Sequence, residues 1–184
     1  MATEEPKYTV EKKTNEYEIR QYPNILVAET AIDAGFESAG NDAFRILADY
    51  IFGNNTVKKS IAMTAPVLQK ESKNIAMTAP VSMSKGAGGY IVQFTMPAEY
   101  TMQTIPAPND ARVHLRMVPA RRVAVHRYSG DWSEKNYTNH LGILTAALAR
   151  DGMASTGEPV LARFDPPFML WLFRRNEIWL DLAP

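Results

Sequence analysis

The chain contains no cysteine. Disulfides, thiolate nucleophiles, zinc–thiolate sites and iron–sulfur clusters are therefore excluded. Histidine is scarce, with three in 184 residues. No two of them stand four residues apart, so the helical spacing of a His-based metal site is missing. Charge of neither sign dominates, since Lys and Arg total 20 and Asp and Glu total 20. With no basic surplus, neither nucleic acid nor an anionic membrane surface is an expected partner. No apolar run approaches the roughly 20 residues of a membrane helix. The opening residues Met-Ala-Thr-Glu-Glu-Pro-Lys lack the charged start and apolar stretch of a secretory signal, so the expected location is cytoplasmic. No nucleophile elbow, P-loop or dinucleotide-binding fingerprint is present, and Gly86-Ala87-Gly88-Gly89 reads as a hairpin turn.

What the chain does contain is an internal copy. The heptapeptide Ile-Ala-Met-Thr-Ala-Pro-Val occurs at Ile61–Val67 and again at Ile75–Val81. Hydrophobic residues make up 46 %, enough for a substantial core. Tyr17–Ala31, rich in β-branched and aromatic residues, predicts two strands around Pro23-Asn24. Phe44, Leu47, Ala48 and Ile51 recur at helical spacing and predict a helix near Phe36–Phe52, stopped by Gly53-Asn54-Asn55. Each heptapeptide ends at a proline and reads as a strand end or edge strand. Tyr90–Met96, Val113–Met117, Arg122–Tyr128, Val160–Phe164 and Glu177–Leu182 read as strands, and Asn136–Arg150 as a second helix.

The two halves overlay. Val27-Ala28 falls on Val123-Ala124 and Pro23 on Pro119, 96 residues on; beyond the helix, Ile61-Ala62 falls on Leu161-Ala162 and Pro66 on Pro166, 100 residues on. The expected unit is strand–strand–helix–strand–strand, made twice in one domain (pseudo-repeats near residues 8–100 and 110–184). Two such units would bury their apolar sheet faces together. The expected fold is α+β: a distorted eight-stranded antiparallel barrel with two flanking helices and a ligand cleft between helix and sheet.

Tyr17-Glu18-Ile19-Arg20, the two heptapeptides, Asp165-Pro166-Pro167 and Arg174-Arg175-Asn176-Glu177-Ile178-Trp179 together resemble the SOUL haem-binding family over nearly the whole chain. The resemblance implies the same barrel with two helices, and reversible binding of haem or another tetrapyrrole in an apolar cleft beside the first helix. It places cofactor-binding positions at Asn41 and Asp49 of that helix and at Met169; Arg45 and Ala48 of the helix, Met63 of the first heptapeptide, and Leu170, Trp171 and Arg174 are further cofactor-binding candidates. Where one branch of the family carries a histidine after Tyr-Glu-Ile-Arg, this chain has Gln21. The basic positions of another branch fall on Asn41, Asp49 and Met169, which leaves Arg45 or Arg174 to meet propionates.

Other candidates follow from side-chain chemistry. Met63 and Met77 hold the same place in the two heptapeptides, and a thioether is a possible soft iron ligand; packing into the core is the plainer reading. The apolar run Phe168–Phe173 would contact a flat ligand, the first helix or a protein partner. Glu177 and Trp179 share one side of the last strand, a pairing suited to an organic cation and, with a desolvated carboxylate, to hydrolysis; a structural ion pair is the alternative. The leading expectation is a non-enzymatic binding module.

Overall fold

The computed structural model describes residues 3–57 and 71–183. The first heptapeptide, Met63 and Pro66 lie outside these residues. Two strands, β1 (Thr9–Lys13) and β2 (Glu18–Tyr22), precede β3 (Ile25–Ile32) and helix α1 (Phe36–Ile51). After β4 (Asn55–Thr56) come β5 (Val81–Gly86), β6 (Gly89–Thr95) and β7 (Ala107–Pro108). The second half holds β8 (His114–Val118), β9 (Arg121–Tyr128), helix α2 (Glu134–Arg150), β10 (Ser155–Arg163) and β11 (Asn176–Leu182). A single 3-10 turn, Trp171–Phe173, interrupts the chain between β10 and β11.

Nine strands form one antiparallel sheet in the order β1-β2-β9-β11-β10-β5-β6-β3-β8, and β4 pairs with β7 apart from it. The α+β class and the two helices are as expected. The eight-stranded closed barrel is not found, and among the described residues no ladder joins β1 to β8. Closing eight strands would require β2 to pair with β8. A strand has only two edges, and β2 gives one to β9 and the other to β1.

From β2 to β8 the strand order is unchanged when β2, β3, β5 and β6 are exchanged with β8, β9, β10 and β11. The register follows the same rule: Val27 faces Arg116, and Val123 faces Arg20. The centre of the arrangement is the β5–β10 ladder, where Met83 faces Leu161. Met83 also faces Val92, as Leu161 faces Ile178. Under this exchange β10 answers to β5, while the expected match of Ile61–Val67 to β10 lies outside the described residues. The second heptapeptide is the lead-in to β5, which lies mid-sheet with Pro80 just before its first residue. That placement leaves the ladder intact, because proline donates no N–H.

Both helices cover the same face of the sheet. Ala39, Ala43, Leu47, Tyr50 and Ile51 recur at three- and four-residue spacing and are buried with Leu144 and Leu148 of α2 against Ala28, Val92, Phe94 and Ile178. Small residues at Ala39, Gly40 and Ala43 let α1 lie close to the strands. Burying each large side chain contributes about 1.5–3 kcal/mol. The opposite face carries a smaller cluster of Tyr22, Val123, Val125, Ala162 and Trp179. Helix α1 ends on buried Asn55, whose Nδ2 donates to the carbonyls of Tyr50 and Lys73, both at 2.8 Å. The Asn55 Oδ1 accepts from the Lys73 amide at 3.0 Å. This stitch fixes the approach of the second heptapeptide to the helix. The Gly86–Gly89 hairpin forms as expected: Gly89 has φ +145°, and a Cβ there would collide with the Ile32 carbonyl oxygen.

Candidate functional site

Where the N-terminal half of α1 meets the end of β10, the chain leaves a hollow of about 250 Å³. Gly40, Asn41 and Phe44 form the helix wall, Met77–Ala79 of the second heptapeptide the floor, and Phe164 with Asp165-Pro166-Pro167 the far side. A second hollow of about 310 Å³ adjoins it and shares Asn41, Trp132 and Arg163. The hollow lies beside the first helix, and of the sequence candidates Asn41 and Met77 line it.

The other candidates lie elsewhere. Arg45 points to solvent, its side chain 82 % exposed and 3.9 Å from Asp42. Ala48 is packed into the core. Asp49 accepts from Asn54 Nδ2 at 2.6 Å. Met63 lies outside the described residues. Arg174 spends its guanidinium on backbone carbonyls, donating to Met169 at 2.9 Å and Pro167 at 2.7 Å. Those bonds fold back the loop that carries Met169, Leu170 and Trp171. Phe168, Leu170, Trp171, Leu172 and Phe173 are all exposed, Phe168 by 86 %.

Sequence reasoning missed Trp132 and Arg163 as site residues. The Trp132 indole is pinned by donating to Asn176 Oδ1 at 2.9 Å. The Arg163 guanidinium lies 4.8 Å from the centroid of its ring and that of Arg174 4.3 Å. Nε and Nη2 of Arg163 are sealed from solvent and have no hydrogen-bond partner. Burial, with Arg174 nearby, pushes this guanidinium down to about 10, against the upward pull of Tyr128. A signal was available. Leu161 and Arg163 share one side of β10, so an arginine stands where alternation calls for an apolar residue.

Glu177, fully buried, sits on the opposite face of the sheet. Its Oε2 accepts from Arg20 Nη1 at 2.9 Å and Trp179 Nε1 at 2.8 Å. Its Oε1 accepts from Arg175 Nε at 3.0 Å and Nη2 at 2.9 Å, and from Arg20 Nη2 at 3.3 Å. Burial alone would lower the Arg20 guanidinium, but the facing carboxylate raises it above its ordinary value. The carboxylate is saturated by two arginines and an indole, with no lone pair left to grip a cation or activate water. This is the ion-pair alternative of the sequence reading.

Two histidines form a pair that the sequence did not announce. His126 Nδ1 lies 2.5 Å from the Glu16 carbonyl oxygen and so carries a proton. Its Nε2 lies 2.9 Å from His140 Nδ1, and the His140 ring stacks on Tyr128 at 4.1 Å. Burial, then the neighbouring His126, holds His140 below the usual imidazole value. The unfolded chain therefore binds more protons than the folded one just below about pH 6.5, so stability falls as pH drops through that window. Urea midpoints should decrease from pH 7 to pH 5, and His140→Gln should flatten the decrease. An unchanged wild-type midpoint would contradict this.

Among the described residues no helix is long and apolar enough to cross a membrane, and no cluster of three or more His, Asp or Glu could hold a metal ion. The architecture is that of a paired-unit antiparallel sheet carrying two helices, a class represented among solved structures. The EcmrR C-terminal domain superposes with a TM-score of 0.63 at 12 % identity, covering 96 % of this chain and 98 % of its own. A hydrolase from Listeria innocua superposes with a TM-score of 0.57 at 11 % identity, covering 94 % of each chain. These likenesses concern the fold alone. Sequence gives the family: residues 3–181 match the SOUL heme-binding protein family, and the chain belongs to it. Heme-binding protein 1 of Xenopus tropicalis is 24 % identical over 170 residues, which span 92 % of this chain and 85 % of that protein.

Proposed function

We propose that the chain reversibly binds haem or a related tetrapyrrole in the cleft beside α1, as a binding module rather than an enzyme. Family membership and the relationship to Heme-binding protein 1 support the ligand class. One observation carries the placement: the hollow joins the apolar walls of Phe44, Met77, Pro166 and Pro167 to the unpaired Arg163 guanidinium. Those residues suit a flat apolar ring with acidic arms. Haem, when bound, would bring a coloured, redox-active iron to the site. None of the three histidines lines the cleft, and Met77 is its single thioether among the described residues. Apolar contact is therefore the main holding force. Burying several hundred Å² of macrocycle gives ~10 kcal/mol gross, and binding costs bring the net into the micromolar range.

Titrating the protein into haem should shift the Soret band and saturate at one haem per chain. An unmoved band at tens of micromolar protein would remove this reading. We further infer a single cytoplasmic domain that arose by duplication, for which the exchange-symmetric strand order and the 96-residue correspondence of Arg20 and Arg116 are the support.

A further inference from the structure

We propose that Arg163, seated on Trp132, is an oxyanion receptor that takes a carboxylate of the cleft's ligand, and that Gly40 keeps it open. The proposal rests on the tetrapyrrole reading for the ligand's identity, but not for the existence of the anion site.

A charged side chain taken out of water without a counter-ion is costly, and buried guanidinium groups are normally paired. The Arg163 guanidinium forms no hydrogen bond or ion pair among the described residues. Its support is the face of Trp132, itself held by Asn176. Arg174 adds a second positive charge at the same ring, and its hydrogen bonds go to neutral carbonyls. The nearby acids are committed or peripheral. Asp131 Oδ1 accepts from the amide and hydroxyl of Ser133, at 3.1 and 2.6 Å. Asp165 Oδ2 accepts from the Arg175 amide at 2.5 Å. Glu37 stands exposed at the outer rim. The site therefore sets a guanidinium with no carboxylate partner beside an apolar hollow, with Nη1, the nitrogen that is not sealed, on the Gly40 side. That is the chemistry of carboxylate or phosphate recognition.

Gly40 lies within α1, where glycine costs about 1 kcal/mol relative to alanine. A Cβ at Gly40 would come 2.8 Å from Arg163 Nη1. The absent side chain is thus the space in which the guanidinium lies. Gly40→Ala should favour the helix while displacing the donor, a combination that a purely structural glycine would not give.

The test follows the Arg163 Nε–H resonance by NMR while adding protoporphyrin IX, its dimethyl ester, acetate or inorganic phosphate. Acetate should move the Arg163 signal, and protoporphyrin IX should slow exchange of its guanidinium protons with water, whereas the ester, which has no carboxylate to accept them, should leave that exchange fast. A larger response to phosphate than to acetate would reassign the oxyanion as phosphate and overturn the carboxylate preference. Arg163→Gln and Gly40→Ala should each weaken protoporphyrin IX about tenfold and leave ester binding unchanged, which also shows that the variants are folded. Ester binding as tight as the free acid, or an Arg163 signal that no anion moves, overturns the proposal even if tetrapyrroles bind. If neither porphyrin binds but acetate moves the signal, the tetrapyrrole reading fails and the anion site stands.

Discussion

Glu177→Gln should destabilise the fold by about 3–5 kcal/mol, the usual cost of removing one member of a buried ion pair. The reason is positional. Glu177 is fully buried, and it answers Arg20, which is 3 % exposed, and Arg175, which is largely covered. Arg20 has further contacts, with Glu18 at 2.8 Å and stacked 4.2 Å from the Tyr8 ring, but Glu177 is its one deeply buried acid. A neutral amide would leave guanidinium charge on the inner face and would oppose the donors with an NH2. Urea denaturation measures the loss directly. Arg122→Gln, at the exposed pair with Glu11, is the control and should leave the midpoint within error. If Glu177→Gln were equally silent, the network would not hold β2, β9 and β11 together. Ligand binding by the folded fraction should persist in Glu177→Gln, because the carboxylate lies across the sheet from the cleft.

Asn41→Trp should do the reverse, sparing the fold and closing the site. Asn41 is exposed on α1 yet borders both hollows. A surface substitution of this kind changes stability by no more than about 0.5 kcal/mol. An indole at this position would occupy the space between Phe44 and Trp132 that a macrocycle must enter. Haem or protoporphyrin affinity should fall about 30-fold or more, equivalent to ~2 kcal/mol, with the thermal midpoint preserved. Unaltered affinity would place the ligand elsewhere, for example against the exposed Phe168–Phe173 loop.

The two variants also divide what the sequence could convey. Helix α1 was legible because Leu47, Ala48 and Ile51 obey a 3.6-residue period, and β3 and β9 because β-branched residues cluster there. Strand β1 escaped notice because every residue of Thr9–Lys13 is exposed and no alternation marks it. The closed barrel is not found among the described residues, where the unnoticed β1 takes the edge of β2 that eight-stranded closure would use. Strand β10 begins at Ser155 rather than Val160, its register shifting between Thr156 and Val160 around Gly157 at φ +72°. Proline at 159 hid the continuation. Of the residues that line the hollow, Asn41 was singled out through family resemblance. Arg163 and Trp132 were not, because their meaning depends on a contact between β10 and the segment before α2. Arg45 and Arg174 were attractive as charges in the right region. Only geometry separates an arginine in solvent, one tied to carbonyls and one left unpaired.

The central claim is that this cleft holds a tetrapyrrole by its ring and its acidic arms. Parallel titrations with haem and metal-free protoporphyrin IX, in the same buffer, test it most directly. Equal affinities within a factor of about two, both weakened by Asn41→Trp, are the expected result. Tight haem binding with none of the metal-free ring would show that a residue grips the iron, and would contradict the claim.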